Sequence, residues 1–115
     1  MIYTSYFAKM RKFTKEQLDA CICIARYQPR GVNLLMYLDV APKDQILWKY
    51  KRDKDQEAYT KAYKQQLSRL DVHQVAKDLD GKICICYEKS EDFCHRHLLA
   101  EWLRDAGYEC EELTI

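Results

Sequence analysis

Glycine and proline are scarce, at three and two of 115 residues. That scarcity leaves little room for flexible linkers or for the many tight turns of an all-β sandwich, and neither a P-loop nor a dinucleotide-binding glycine pattern occurs. No run of about 18 apolar residues is present, so no membrane-spanning helix and no membrane partner are expected. Charge of one sign is not in excess: the net charge is +1, which excludes a global basic field. The opening "MIYTSYF" shows no charged leader, long apolar region or small-residue cleavage site, so the expected location is the cytoplasm.

What is present suits one folded domain with one core. Apolar residues make up 48% of the chain and charged residues 32%, which excludes a disordered chain. Six cysteines stand out, but Cys21 with Cys23 and Cys84 with Cys86 are C-x-C pairs inside apolar runs, where cysteine acts as a small core residue. Without an export signal, the expectation is reduced thiols rather than a disulfide framework. Charge is uneven along the chain: Lys43 to Arg69 carries eight basic and four acidic residues, and Glu101 to Ile115 carries one basic and five acidic. One positive face, and hence an anionic partner, is implied.

Periodicity divides the chain into alternating strands and helices. "IYTSYF" (Ile2 to Phe7) is aromatic and β-branched and predicts a strand. Thr14 and Gln17 of "TKEQ" form a capping box that opens a short helix to about Ala20. "ACICIA" and "KICICY" are apolar on both parities and predict strands buried on both faces. "VNLLMYL" stays open between a strand and a helical turn. Helices are predicted after Pro42, over Gln56 to Leu70 and in "DVHQVAKDLDG", where Gly81 stops the run. Tyr59, Tyr63, Leu67 and Leu70 form a core stripe. A last helix runs from Phe93 to Ala106, and "YECEEL" closes as an edge strand. Together these predict an α/β fold: one small three-layer domain, residues 1–115, with a mostly parallel sheet of four to five strands flanked by helices.

The chemistry concentrates in "CYEKSEDFCHRHLLAEWL", from Cys86 to Leu103. It is a strand, loop and helix start, and in an open α/β sheet ligands gather where strand carboxyl ends meet helix N-termini. Ser90 or Asp92 is expected to cap the helix. Leu98, Leu99, Trp102, Leu103 and Ala106 form its expected buried stripe, and one turn back the same face carries Cys94 and His95. Arg96 is expected on the outer face, curling over the helix mouth. Cys94 is either an activated thiol at a helix start or inert packing. His95 is either an acid–base group or a satisfied interior imidazole. Glu88 is either a carboxylate in the crevice or a solvated loop acid. Arg96 is either an anion fork or a surface ion-pair partner. If the strands are parallel, Ser5 near the end of the first and Arg26 after the second lie along the same sheet edge, so Arg26 and Arg96 would share one anion. Zinc donors are numerous, but no C-x-x-C knuckle is present and His95 and His97 point to different helix faces, so no metal is expected. Neither Cys86 nor Cys94 has an arginine six positions on, which excludes a tyrosine-phosphatase loop.

"CICIAR", the "CYE" of Cys86, Tyr87 and Glu88, and "CHRHLLAEWL" from Cys94, with the opening "IYTSYFAK" and "LDVAPKDQILWKYK", resemble the domain-of-unknown-function 488 family across nearly the whole chain. The resemblance implies a compact α/β domain with a polar cluster, and it highlights Arg26, Glu88, Cys94, His95 and Arg96. Many members carry an acid two positions before the arginine of the second strand; here that position is Ile24.

The reading carried forward is a small enzyme binding an anionic, phosphate-bearing or nucleotide-like ligand at the carboxyl edge of the sheet, with no cofactor. Glu88, Cys94 and His95 would be catalytic, and Arg26, Arg96 and Ser5 would bind the anion. The alternative is a non-catalytic module that binds nucleic acid or protein through the basic 43–69 segment. The pattern specifies no oligomeric state.

Overall fold

A computed structural model describes residues 1–88 and 93–114. Among them, four short strands form one sheet: β1 (Ile2–Tyr6), β2 (Cys21–Cys23), β3 (Ile83–Cys86) and β4 (Cys110–Glu112). The order is β2-β3-β1-β4 and every pairing is parallel. The register sets Tyr6 beside Cys86 and Cys23 beside Ile85, so the carboxyl ends of β1, β2 and β3 are level. The α/β fold with a parallel sheet is therefore as expected. "VNLLMYL" resolves into a single bridge from Met36 to Cys23 and a 3-10 turn at Leu38–Val40.

Five α-helices are described: α1 (Lys15–Asp19), α2 (Asp44–Asp53), α3 (Gln56–Ser68), α4 (Val72–Leu79) and α5 (His95–Asp105). The predicted capping box holds α1: the Gln17 N–H donates to Thr14 Oγ1 at 3.2 Å and the Thr14 N–H donates to Gln17 Oε1 at 2.8 Å. Asp55 caps α3 by accepting from the Ala58 N–H, and Asp71 caps α4 by accepting from the N–H groups of His73 and Gln74. No helix of the described residues is long and apolar enough to cross a membrane.

Strand alternation separates two apolar clusters. Cys84 and Cys86 of β3 face the thicker layer, where Tyr63 and Leu67 of α3, Val75 and Leu79 of α4, and Leu99 and Leu103 of α5 bury their side chains. Ile83 and Ile85 face the thinner layer, made by Phe13, Met10, Phe7 and Leu34. One consequence bears on the site: the β3 thiols point toward α5, and the β3 isoleucines point away from it.

Candidate functional site

α5 begins at His95, with Cys94 in extended backbone at its N-cap. The Ser90 and Asp92 capping expectation falls on residues outside the described ones. The buried line on α5 is Arg96, Leu99, Ala100 and Leu103, while Leu98 and Trp102 are only partly buried and Ala106 is exposed. The helix is thus turned by about one residue from the expected stripe, and this rotation carries Arg96 inward. Cys94 and His95 are buried as predicted, at 3% and 5% exposure.

His95 is held from two sides. Its Nε2 lies 2.8 Å from the Ile24 carbonyl oxygen, and the Tyr63 ring packs edge-on with centroids 5.5 Å apart. A carbonyl can only accept, so Nε2 carries the proton and Nδ1 is a bare lone pair. Burial lowers the imidazole pKa to about 4, opposed by the Ile24 hydrogen bond and assisted by the Arg96 and His97 charges. His95 is therefore neutral at pH 7, with Nδ1 3.8 Å from Cys94 Sγ.

A disulfide joins Cys94 to Cys86 across the gap between helix start and strand end, which corrects the expectation of reduced thiols for this pair. Their Cα atoms stand 7.7 Å apart. Arg96 Nη1 donates to Cys86 Sγ at 2.9 Å. One donor atom from each of Cys86, Cys94 and His95 lies within 4.8 Å of the others. The remaining cysteines are different in kind. Burial pushes the thiols of Cys21 and Cys110 up to about 11, and those of Cys23 and Cys84 upward as well, so they are protonated packing groups.

Arg96 is turned into the fold. Its guanidinium is fully buried, and four of its N–H groups are engaged: Nε and Nη2 donate to Glu112 at 3.1 and 2.9 Å, and Nη1 donates to Cys86 Sγ and to the Glu88 carbonyl. The Tyr6 ring lies 5.5 Å from its central carbon, and the Thr4 hydroxyl donates to the same Glu112 carboxylate at 2.6 Å. Arg96 therefore ties α5 to β4, β1 and the end of β3, which corrects its expected place on the outer face of the helix. Ser5 is corrected too. Strand alternation places it with Tyr3 and Phe7 toward the thinner layer, opposite Ile85 and away from Cys94, and its Oγ has no partner among the described residues.

Arg26, Glu88, Cys94 and His95 do converge. They line one cavity of about 490 Å³ at the carboxyl ends of β2 and β3. Arg26 donates from Nε to the Pro42 carbonyl at 3.1 Å and from Nη2 to the Ala41 carbonyl at 3.0 Å. Those bonds fix the stem, and its remaining N–H groups have no partner among the described residues. Glu88 is exposed at the mouth. The other walls come from residues that sequence reasoning had placed elsewhere. Tyr50 and Lys51 of α2, Lys54 at its C-cap, Tyr59 of α3, and Tyr27, Tyr87 and Phe93 enclose the space. Tyr50, Tyr59 and Phe93 pack as a ring cluster with centroids 5.1 to 5.5 Å apart. The signal for this was the interleaving of aromatic and basic residues in 43–69, and what hid it was not knowing that α2 folds back over the rim.

The structure is thus a parallel α/β sheet with an aromatic, cation-bearing cavity at its carboxyl rim, lined at its base by Cys94 and His95. The chain belongs to the DUF488-N3a family, described as the active DUF488-N3 subclade, which it matches over residues 5–107. No curated protein and no solved structure matches it.

Proposed function

We propose that this chain is a small enzyme acting on a phosphate-bearing, nucleotide-like substrate bound in the 490 Å³ cavity. The observation that carries this reading is the composition of that cavity. Three cations (Arg26, Lys51 and Lys54) stand beside flat aromatic walls, and the floor is Cys94 with His95. A planar ring system suits Tyr50, Tyr59 and Phe93, and an anion suits the free edge of the Arg26 fork. Glu88 at the mouth is the solvent-connected proton carrier, and the Cys94–His95 floor supplies the reacting group. The family's description as an active subclade supports catalysis.

The test is a thermal-shift series with nucleosides, nucleotides and inorganic phosphate. A ligand at a hundredfold its dissociation constant stabilises by about 2.7 kcal/mol, a rise of several degrees in Tm. The expected pattern is a rise with nucleotides, little with nucleosides, and loss of the rise in Arg26→Ala. A flat response across the series, or a rise that survives Arg26→Ala, overturns the reading.

The non-catalytic alternative has one observation in its favour. Trp48 and Tyr27 are 50% and 51% exposed, their ring centroids lie 6.5 Å apart, and Lys51 sits over the Trp48 ring at 4.6 Å. Such a pair suits stacking on a single-stranded nucleic acid. Oligonucleotide binding that falls steeply with salt, without any mononucleotide shift, selects that module over the enzyme.

A further inference from the structure

We propose that Cys86, Cys94 and His95 together bind one zinc-class divalent cation, leaving a coordination position open toward the cavity. Cys94 and His95 line that cavity, whereas Cys86 lies on the buried side of the cluster. Four observations converge on this. The three soft donors lie within 4.8 Å of one another. The Ile24 carbonyl takes the Nε2–H of His95, so the lone pair on Nδ1 is the one turned toward sulfur; orientation of a metal-binding imidazole by a hydrogen bond on its far nitrogen is the usual second-shell arrangement. The bond between Cys86 and Cys94 joins Cα atoms 7.7 Å apart, and its reduction frees two thiols directed at one point beside His95.

The fourth observation is charge. Two thiolates neutralise a divalent cation, and His95 joins without charge. Arg96 adds a hydrogen bond to Cys86 Sγ while its own charge is met by the two oxygens of Glu112. Among the described residues the donor set holds sulfur and nitrogen with no carboxylate, which selects zinc-class ions over magnesium or calcium. Loading starts from the reduced pair: a dithiol reductant opens the Cys86–Cys94 bond by exchange and leaves as its own disulfide, and each freed thiol then releases one proton to solvent and gains one sulfur–metal bond. Three protein ligands with a free position are the pattern of a reactive rather than a structural site. The use of that open position rests on the substrate reading above; metal binding itself does not.

The experiment takes the full chain, reduced and stripped with a chelator, and titrates it with cobalt(II) alone. One equivalent should produce thiolate-to-cobalt charge transfer and the visible bands of a tetrahedral site, and one equivalent of zinc should abolish them. Cys94→Asp keeps an oxygen donor, so cobalt should still bind with charge-transfer intensity reduced by about half, as expected for one thiolate in place of two. His95→Gln should lose tight binding, and Cys84→Ala should retain the full spectrum. Far-ultraviolet circular dichroism confirms that each variant is folded. A folded, reduced wild-type chain without the charge-transfer band, or an unchanged spectrum in Cys94→Asp, overturns the proposal. Arg26→Ala separates the two readings, because it should abolish the nucleotide shift and leave the cobalt spectrum intact.

Discussion

Arg26 and Arg96 stand at the same rim of the same sheet and do opposite things. Arg96 is fully buried and has four N–H groups engaged, two of them on one carboxylate. Arg26 is half-buried and spends two on backbone carbonyls, leaving the outer edge of its fork at the cavity. Residue type and sheet edge therefore do not decide whether an arginine keeps donors available at the rim. The decision lies in how many donors the fold has already satisfied. Arg96 is a tie between elements, and Arg26 is a tie with donors to spare.

The comparison breaks most visibly in stability. Arg96→Ala removes the guanidinium from Glu112 and from the Glu88 carbonyl and empties a buried volume beneath Tyr6. Breaking a buried ion pair costs about 3–5 kcal/mol, and chemical denaturation should show a loss of that size. A loss below about 1 kcal/mol would return Arg96 to the role of a ligand-facing group. Glu112→Gln is the milder cut. It keeps one oxygen acceptor for the guanidinium but removes the opposing charge, and the expected loss is about 2–3 kcal/mol. The two should not add, because both remove the same pair, and a double-mutant cycle measures the shared part.

The same pair shows why the sequence revealed the fold better than the site. The parallel order, the capping box at Thr14 and the two doubly buried C-x-C strands follow from local pattern, and the structure contains them all. The partner of Arg96 does not. Glu112 lies sixteen residues on, in a strand that reaches Arg96 only because β4 pairs with β1 rather than with β3. Reading arginine as a surface residue shifted the α5 stripe by one position and placed Leu98 and Trp102 inside. Ser5 needed a different fact: strand alternation fixes that it faces away from Thr4 and Tyr6, but not which face α5 covers. Cys86 looked like packing because its neighbour Cys84 is packing; only the helix start arriving beside the strand end sets it against Cys94 and His95.

For Arg26 the expected balance is reversed. Arg26→Ala gives up two hydrogen bonds to the carbonyls of Ala41 and Pro42, a loss of about 1–2 kcal/mol. Its effect on ligand binding should be the larger one, at tenfold or more in affinity for a phosphate-bearing ligand, since a charged hydrogen bond contributes about 1.5–3 kcal/mol. Arg26→Lys sharpens the point. It keeps the charge but not the planar fork, so it should recover only part of the affinity. Isothermal titration with a nucleotide against each variant, beside denaturation midpoints, reads both quantities. Equal ligand affinity in Arg26→Ala and wild type would mean that its spare donors are unused.

The smallest effect expected has the opposite sign. Lys54 ends α2 with φ 55° and ψ 27°, the left-handed region that favours glycine, and it is the non-glycine residue with positive φ among those described. A side chain held there costs about 1 kcal/mol relative to glycine. Lys54 also lines the cavity, with its ammonium 5.4 Å from the Tyr50 ring centroid. If the strain is kept because that cation serves the ligand, Lys54→Gly should raise the unfolding free energy by up to about 1 kcal/mol while weakening nucleotide binding severalfold. Lys54→Asn separates the causes, since asparagine tolerates the same backbone but carries no charge: it should match glycine in binding and fall between glycine and lysine in stability. A Lys54→Gly chain that is more stable and binds as well as wild type would confine the anion to Arg26 and Lys51, and would leave the left-handed lysine without a part in the site.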